Sequence, residues 1–227
     1  MADLAARLAA IDERIAAAAQ HAGRSADAIT RIVVTKFHPA SLVRDLHALG
    51  VRDVGENRQQ ELSAKTQELT ELAEMRWHFI GQAQTKKAAA IRRAATAVHS
   101  IDRERIADAL DRVAVDDDVL DVLLQVNLTD DPGRGGVAPD GLEHLAEHVL
   151  ECETLALRGI MAVAPLNADP AESFARLHGL AERLRTVAPE ARWISAGMTG
   201  DFAEAIAAGA THLRIGSAIT GPRPAQG

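Results

Sequence analysis

Short apolar, β-branched runs alternate with amphipathic stretches along this chain, and the alternation is regular. Residues 32–35, 51–54, 77–80, 97–99, 119–126, 155–163, 192–195 and 212–215 form eight such runs. Runs of this length and composition predict short strands buried on both faces. Between them, residues 41–50, 57–72, 85–95, 105–114, 139–151, 170–187 and 201–208 carry helical patterns. The punctuation agrees. Pro39, Pro139 and Pro170 stand where helices open, Gly50 where one stops, and Asp102 is placed to cap the helix over 105–114. Ahead of this rhythm, Leu4, Leu8, Ile11 and Ile15 form an apolar stripe opposite Arg7, Asp12, Glu13 and Arg14, with Gly23 as the stop. That predicts an additional amphipathic helix over residues 4–22.

Strands separated by single helices mean βαβ units and a parallel sheet. Eight units predict an α/β fold: one closed (β/α)8 TIM barrel over about residues 31–220, preceded by a helix over about 3–22. An open doubly wound sheet is the alternative. No linker or low-complexity stretch divides residues 1–227, so a single domain is expected; residues 221–224 read as a frayed tail. In a parallel barrel the functional face lies at the C-terminal ends of the strands. The residues that follow the apolar runs are Lys36, Glu56 and Asn57, Gly81, Asn127, Met161 and Pro165, Gly197 to Thr199, and Gly216 with Ser217.

Composition narrows the function classes. Of 227 residues, 47% are hydrophobic and 25% charged, and the formal net charge is −7. An acidic balance argues against a nucleic-acid partner. No apolar run is long enough for a membrane span, and residues 1–20 lack the basic start and continuous apolar core of a secretory leader. A single cysteine, Cys152, excludes an internal disulfide and a multi-cysteine metal site. A cytoplasmic protein without membrane or metal partners is expected. There is no tyrosine, so no phenol serves as acid or base.

Lys36 ends an apolar strand at the top of the expected barrel, where partial desolvation favours a nucleophilic amine suited to Schiff-base formation. The plain alternative is a lysine reaching to solvent. Ser195 to Thr199 and Arg214 to Ser217 follow the seventh and eighth runs, where this fold usually binds phosphate. Glycine permits close backbone approach there, and hydroxyls and helix N-termini donate. Alternatively, Ser195 and Thr199 cap, Thr199 serving the helix near Asp201, and Gly216 turns the chain. Arg214, a charge inside an apolar strand, is either paired with a carboxylate or aimed at a ligand. Other features read as structural: the glycine-rich stretch 133–138 as a flexible loop, Asp116 to Asp118 as an acidic turn, and His78 and His99 as satisfied core histidines. His144 and His148 read as a solvated helix face without a clear third metal ligand.

The motifs together resemble the pyridoxal phosphate homeostasis proteins, the YggS/PROSC group of barrels related to the alanine racemase N-terminal domain. The matching stretches are Val34-Thr-Lys-Phe-His-Pro39, Val54-Gly-Glu-Asn-Arg58, Trp77-His-Phe-Ile-Gly81, His99-Ser-Ile-Asp102, Gln125-Val-Asn127, Arg158-Gly-Ile-Met-Ala162, Ser195-Ala-Gly-Met-Thr199 and Arg214-Ile-Gly-Ser217. They occur in the family's order and cover nearly the whole chain. The resemblance implies pyridoxal 5′-phosphate held covalently by Lys36 as a Schiff base, with Asn57 beside the ring and Met161 on the same face. It implies a phosphate pocket of Ser195, Met198, Thr199, Gly216 and Ser217, with Arg214 facing the pyridine nitrogen. A cation there keeps the ring unprotonated and a poorer electron sink. The chain departs from the family at His38, where a second lysine is usual, at Thr199 for the usual serine, and over Gln82-Ala-Gln-Thr-Lys-Lys87.

Those features imply a non-catalytic carrier acting in intracellular vitamin B6 homeostasis. It is expected to be monomeric, with apo-enzymes that use the cofactor as recipients. A pyridoxal phosphate-dependent racemase or decarboxylase is the alternative, and an aldolase-like barrel a third. The missing tyrosine, and an end at residue 227 that leaves no room for a second β-domain, weigh against a racemase.

Overall fold

In the computed structural model, which describes residues 2–115, 118–131 and 133–223, eight parallel strands close into a barrel in sequence order. The strands are β1 (Thr30–Val34), β2 (Asp53–Glu56), β3 (Arg76–Phe79), β4 (Ala97–Ile101), β5 (Leu120–Gln125), β6 (Leu155–Met161), β7 (Trp193–Ser195) and β8 (His212–Ile215). Pairing of β1 with β8, Ile32 opposite Arg214, closes the ring. The (β/α)8 expectation is met, and the open sheet is excluded.

The helices between strands are α2 (Ala40–Ala48), α3 (Gln59–Glu68), α4 (Ala88–Ala94), α5 (Glu104–Asp111), α6 (Leu142–Leu150), α7 (Pro170–Val187) and α8 (Phe202–Ala207). The leading helix, α1 (Ala2–His21), buries Leu4, Leu8, Ile11 and Ile15 and packs against α8. Gly23 closes it at φ +67, with Arg24 N–H returning to Ala19 O. Arg24 then donates to the carbonyls of Ile206 and Ala210 at 2.7 Å each, which ties this segment to the end of α8. Among the described residues, no helix is long and apolar enough to cross a membrane.

Several boundaries differ from the expectation. The second strand lies two residues later than the apolar run. Val51 N–H bonds Leu46 O and finishes α2, with Gly50 at φ +87, so the ladder opens at Asp53 opposite Arg76. Asp102 does not cap α5. Arg103 holds the cap position, and the Asp102 carboxylate accepts from Arg103 Nη1 instead. A helical turn, α9 (Ser217–Thr220), follows β8 where no helix was expected. The calls on Asp116, Asp117 and Pro224 lie outside the described residues.

Apolar side chains fill the layer between barrel and helices, with Leu46, Leu62, Ile91, Leu110, Leu142 and Phe174 among the fully buried ones. The lumen is different. It holds Asp53, His78, His99, Ser195, His212 and Arg214, all buried. His99 on β4 and Ser195 on β7 are hydrogen-bonded at 2.9 Å although their strands are not neighbours, so this contact crosses the lumen.

Candidate functional site at the C-terminal face

At the C-terminal ends of the strands, a cavity of about 430 Å3 brings Lys36, Asn57, Met198, Thr199, Arg214, Gly216 and Ser217 together, floored by Val34 and Ile80. The volume suits a small ligand. Seven of the nine expected site residues line it. Met161 and Ser195 do not: both are buried below the cavity, and the Ser195 hydroxyl is engaged by His99 and Arg214.

Lys36 sits on a tight turn after β1, anchored by a buried cluster. His38 N–H bonds Thr35 O at 3.1 Å, and Phe37 N–H bonds Glu61 Oε2 at 2.7 Å. Phe37 is held at φ +69, a conformation a bulky residue rarely adopts, with the Arg58 guanidinium over its ring at 4.8 Å. Beneath the turn, Lys65 Nζ donates to Thr35 O at 2.8 Å and to Glu56 Oε1 at 2.5 Å, while Thr35 Oγ1 donates to the same carboxylate oxygen at 2.7 Å. Burial raises the Glu56 carboxyl above its ordinary range, against the pull of Lys65. His38 is lowered by burial first and by the nearby Lys65 charge second. Glu56 was expected to follow β2; it is the last residue of that strand and faces α3. Lys65 carried no sequence signal, being one charge among several on a polar helix.

Close packing forces two glycines. A Cβ on Gly81 would stand 2.0 Å from the Asn57 carbonyl oxygen, so only glycine lets the turn after β3 support Asn57. Gly197, at φ +89, would place a Cβ 2.7 Å from that of Ala205. The loop that follows is fixed by Asp201, whose Oδ1 accepts Met198 N–H at 2.6 Å. Asp201 also holds the cap position of α8, so Thr199 lines the cavity and does not cap.

Arg214 dominates the electrostatics. Its Nη1 donates to Ser195 Oγ at 2.6 Å and its Nη2 to Ala162 O at 2.8 Å. Among the described residues no carboxylate lies within 4.0 Å of it. Burial lowers its pKa to about 10, opposed by Asp201, which leaves it charged at neutral pH. A guanidinium has five N–H donors, so this one keeps capacity for a ligand in the cavity it lines.

The remaining candidates lie elsewhere. Asn127 organises the loop after β5, accepting from Thr129 N–H and Oγ1 and donating to Asp131 O, and lines a separate cleft. His78 and His99 are hydrogen-bonded through both ring nitrogens, as expected for core histidines. His144 is exposed and pairs with Glu104. His148, expected to lack a third potential ligand, has two neighbours: Asp108 Oδ1 at 2.6 Å, and Cys152, whose ligand atom lies within 4.8 Å of both.

A barrel with a lysine on the turn after β1 and an arginine in β8 facing one cavity defines a class. The chain belongs to the alanine racemase N-terminal domain family, whose description matches residues 6–224. Two similar relatives are pyridoxal phosphate homeostasis proteins. It is 41% identical over 235 residues to the pyridoxal phosphate homeostasis protein of Mycobacterium tuberculosis, covering 95% of this chain and 91% of that one. It is 37% identical over 229 residues to that of Escherichia coli, covering 98% of each. Among solved structures, PipY of Synechococcus elongatus with PLP bound superposes with a TM-score of 0.83 at 33% identity, covering 95% of this chain and 99% of PipY. Alanine racemase of Corynebacterium glutamicum shares the fold, with a TM-score of 0.69 at 17% identity over 97% of this chain and 62% of the racemase.

Proposed function

We propose that the protein binds pyridoxal 5′-phosphate covalently through Lys36 and holds it without turnover, serving cytoplasmic vitamin B6 homeostasis as a monomer that yields the cofactor to apo-enzymes. The convergence of Lys36, a carboxylate-free buried Arg214 and the Gly216–Ser217 turn on one cavity carries this reading. When bound, the cofactor supplies an aldehyde that reacts with an amine, a dianionic phosphate and a pyridine nitrogen. Lys36 would meet the aldehyde, and Arg214 would donate toward the ring nitrogen. Asn57 would contact the ring, while Met198, Thr199, Gly216 and Ser217 would hold the phosphate.

The cavity lining supports holding over turnover. Among the described residues that line it, the titratable side chains are Lys36 and Arg214. Racemisation needs a second base on the opposite face of the substrate, and an arginine is a poor one at neutral pH. Cys152 lies at the end of α6, away from the cavity. The names of the relatives and the ligand of PipY support the same reading.

Purified protein mixed with pyridoxal phosphate is expected to turn yellow, and borohydride is expected to fix one pyridoxyl group on Lys36 by peptide mass spectrometry. Lys36→Ala should lose that adduct. A native protein that takes up no cofactor refutes the reading. Racemisation of alanine at ordinary enzyme rates refutes its non-catalytic half.

A further inference from the structure

We propose that Asp53, His78, His99 and Ser195 form one hydrogen-bonded chain through the barrel lumen that positions Arg214, with Asp53 as its far anchor. The functional part of this inference rests on the cavity being the pyridoxal phosphate site; the chain itself does not. The links are Arg214 Nη1 to Ser195 Oγ at 2.6 Å, Ser195 Oγ to His99 Nδ1 at 2.9 Å, His99 Nε2 to His78 Nδ1 at 3.0 Å, and His78 Nε2 to Asp53 Oδ1 at 2.9 Å. Every member is buried, from 0% exposed at Ser195 and His99 to 7% at Asp53. The residues come from β8, β7, β4, β3 and β2 and lie up to 161 positions apart in sequence, so no local motif contains the chain.

Its ends dictate its polarity. Arginine only donates and an ionised aspartate only accepts. Ser195 therefore accepts from Arg214 and satisfies its own proton on His99 Nδ1. Neutral His99 then carries its proton on Nε2 and donates to His78 Nδ1. With one ring proton, His78 carries it on Nε2 and donates to Asp53. In the opposite sense His78 Nε2 would face the Asp53 carboxylate without a proton, acceptor against acceptor. Both imidazoles are thus confined to one tautomer, and the peptide-like dipoles of the chain all run from the cation to the anion. Asp53 is held in turn by Arg76 Nη2 at 2.5 Å and opens on a cleft at the opposite barrel face, beside Arg31 and Arg52. His212, 6.4 Å from both rings by centroid, bonds Thr211 Oγ1 and stands outside the chain.

The four residues are positioning residues. Fixing Ser195 fixes the direction of the guanidinium, and with it the contact to the ring of a bound cofactor. The hydroxyl at 195 thereby acts on the cofactor at one remove, below the phosphate loops.

Two measurements test this. In the full-length protein without cofactor, 15N-histidine NMR at neutral pH should show His78 and His99 as neutral Nε2–H tautomers. An Nδ1–H tautomer or a protonated ring at either position overturns the chain, whether or not the protein binds pyridoxal phosphate. In the loaded protein, Ser195→Ala removes a hydrogen bond to a charged group, which should weaken pyridoxal phosphate binding by about 10- to 100-fold. It should also shift the visible band of the bound cofactor while borohydride still fixes the adduct on Lys36. An unchanged band and affinity overturn the positioning role. If the wild type itself binds no pyridoxal phosphate, the parent reading fails, and the NMR result still decides the chain. It also decides if Ser195→Ala does not fold.

Discussion

Replacing Lys65 with methionine tests whether the turn bearing Lys36 depends on a buried ion pair. Lys65 is 6% exposed and Glu56 is 0% exposed, and Glu56 Oε2 has no hydrogen-bond partner among the described residues. Lys65→Met keeps most of the side-chain volume but leaves a carboxylate in the dry layer between β2 and α3. Breaking one partner out of such a pair costs about 3–5 kcal/mol. Protonation limits the loss. Burial already raises the Glu56 carboxyl, and without Lys65 it becomes a neutral acid in the folded state while it ionises in the unfolded one. From an unfolded pKa near 4.3, that ceiling is about 1.36 kcal/mol per pH unit, or roughly 3.7 kcal/mol at pH 7 and about 1 kcal/mol at pH 5. The sign follows from a raised folded pKa: stability is lost as pH rises above the unfolded value. Urea unfolding of variant and wild type at both pH values measures the difference. Glu56→Gln combined with Lys65→Met should recover most of it. A deficit under about 1 kcal/mol at pH 7, or an equal deficit at both pH values, refutes the argument.

Three further outcomes follow from the same geometry. Gly81→Ala should lower stability by about 3 kcal/mol or more, because its Cβ would stand 2.0 Å from the Asn57 carbonyl and backbone must move; thermal unfolding reads this directly. Gly197→Ala, at φ +89 and 2.7 Å from the Ala205 Cβ, should reduce cofactor uptake by displacing the Met198 to Gly200 loop, measured by absorbance titration. His212 is lowered to about 3, chiefly by burial, so it stays neutral in the folded protein while the unfolded chain takes up a proton below about pH 6.5. Stability should therefore fall with pH through that window by about 1.4 kcal/mol per unit from this group. His212→Met should flatten that part of the urea profile, and an unchanged slope would contradict the assignment.

The barrel was legible because a strand buried on both faces leaves a continuous apolar run, and each of the eight runs became a strand. Boundaries slipped where a helix end borrowed the first apolar residue, as Val51 did for α2. Most of the cavity was legible too, since the fold places strand-end residues on one face. Two parts were not. Lys65 sits on a helix that is polar apart from Leu62 and Ala64, and only the tertiary approach of β2 distinguishes it from its solvated neighbours. Ser195 was assigned by its place in a loop motif, but a residue's side of the strand decides its role: it points into the lumen, where His99 and Arg214 engage it. The signal available was a lone polar residue between apolar ones, as in Trp77-His78-Phe79 and Leu213-Arg214-Ile215. That pattern marks a side chain facing inward, but it does not say which inward residues meet across the lumen.

The two buried charge systems share a strand. Asp53 and Glu56 are both on β2 and differ by three positions, so alternation sends one into the lumen and the other out toward α3. The outer carboxylate anchors the turn of Lys36, and the inner one terminates the chain that reaches Arg214. A barrel built for stability alone fills its lumen with branched aliphatic side chains, since a buried ion pair or polar network is usually no better than well-packed apolar residues. Here three histidines, a serine and an aspartate occupy that space beneath a single arginine. His78, His99, Ser195 and Asp53 are matched in donor and acceptor along the chain, which is the condition under which a buried network rigidifies its members. The polar lumen is then explained by what it holds in place. In the proposed arrangement Arg214 keeps a fixed direction with no carboxylate within 4.0 Å among the described residues, so its charge is directed at the cavity it lines.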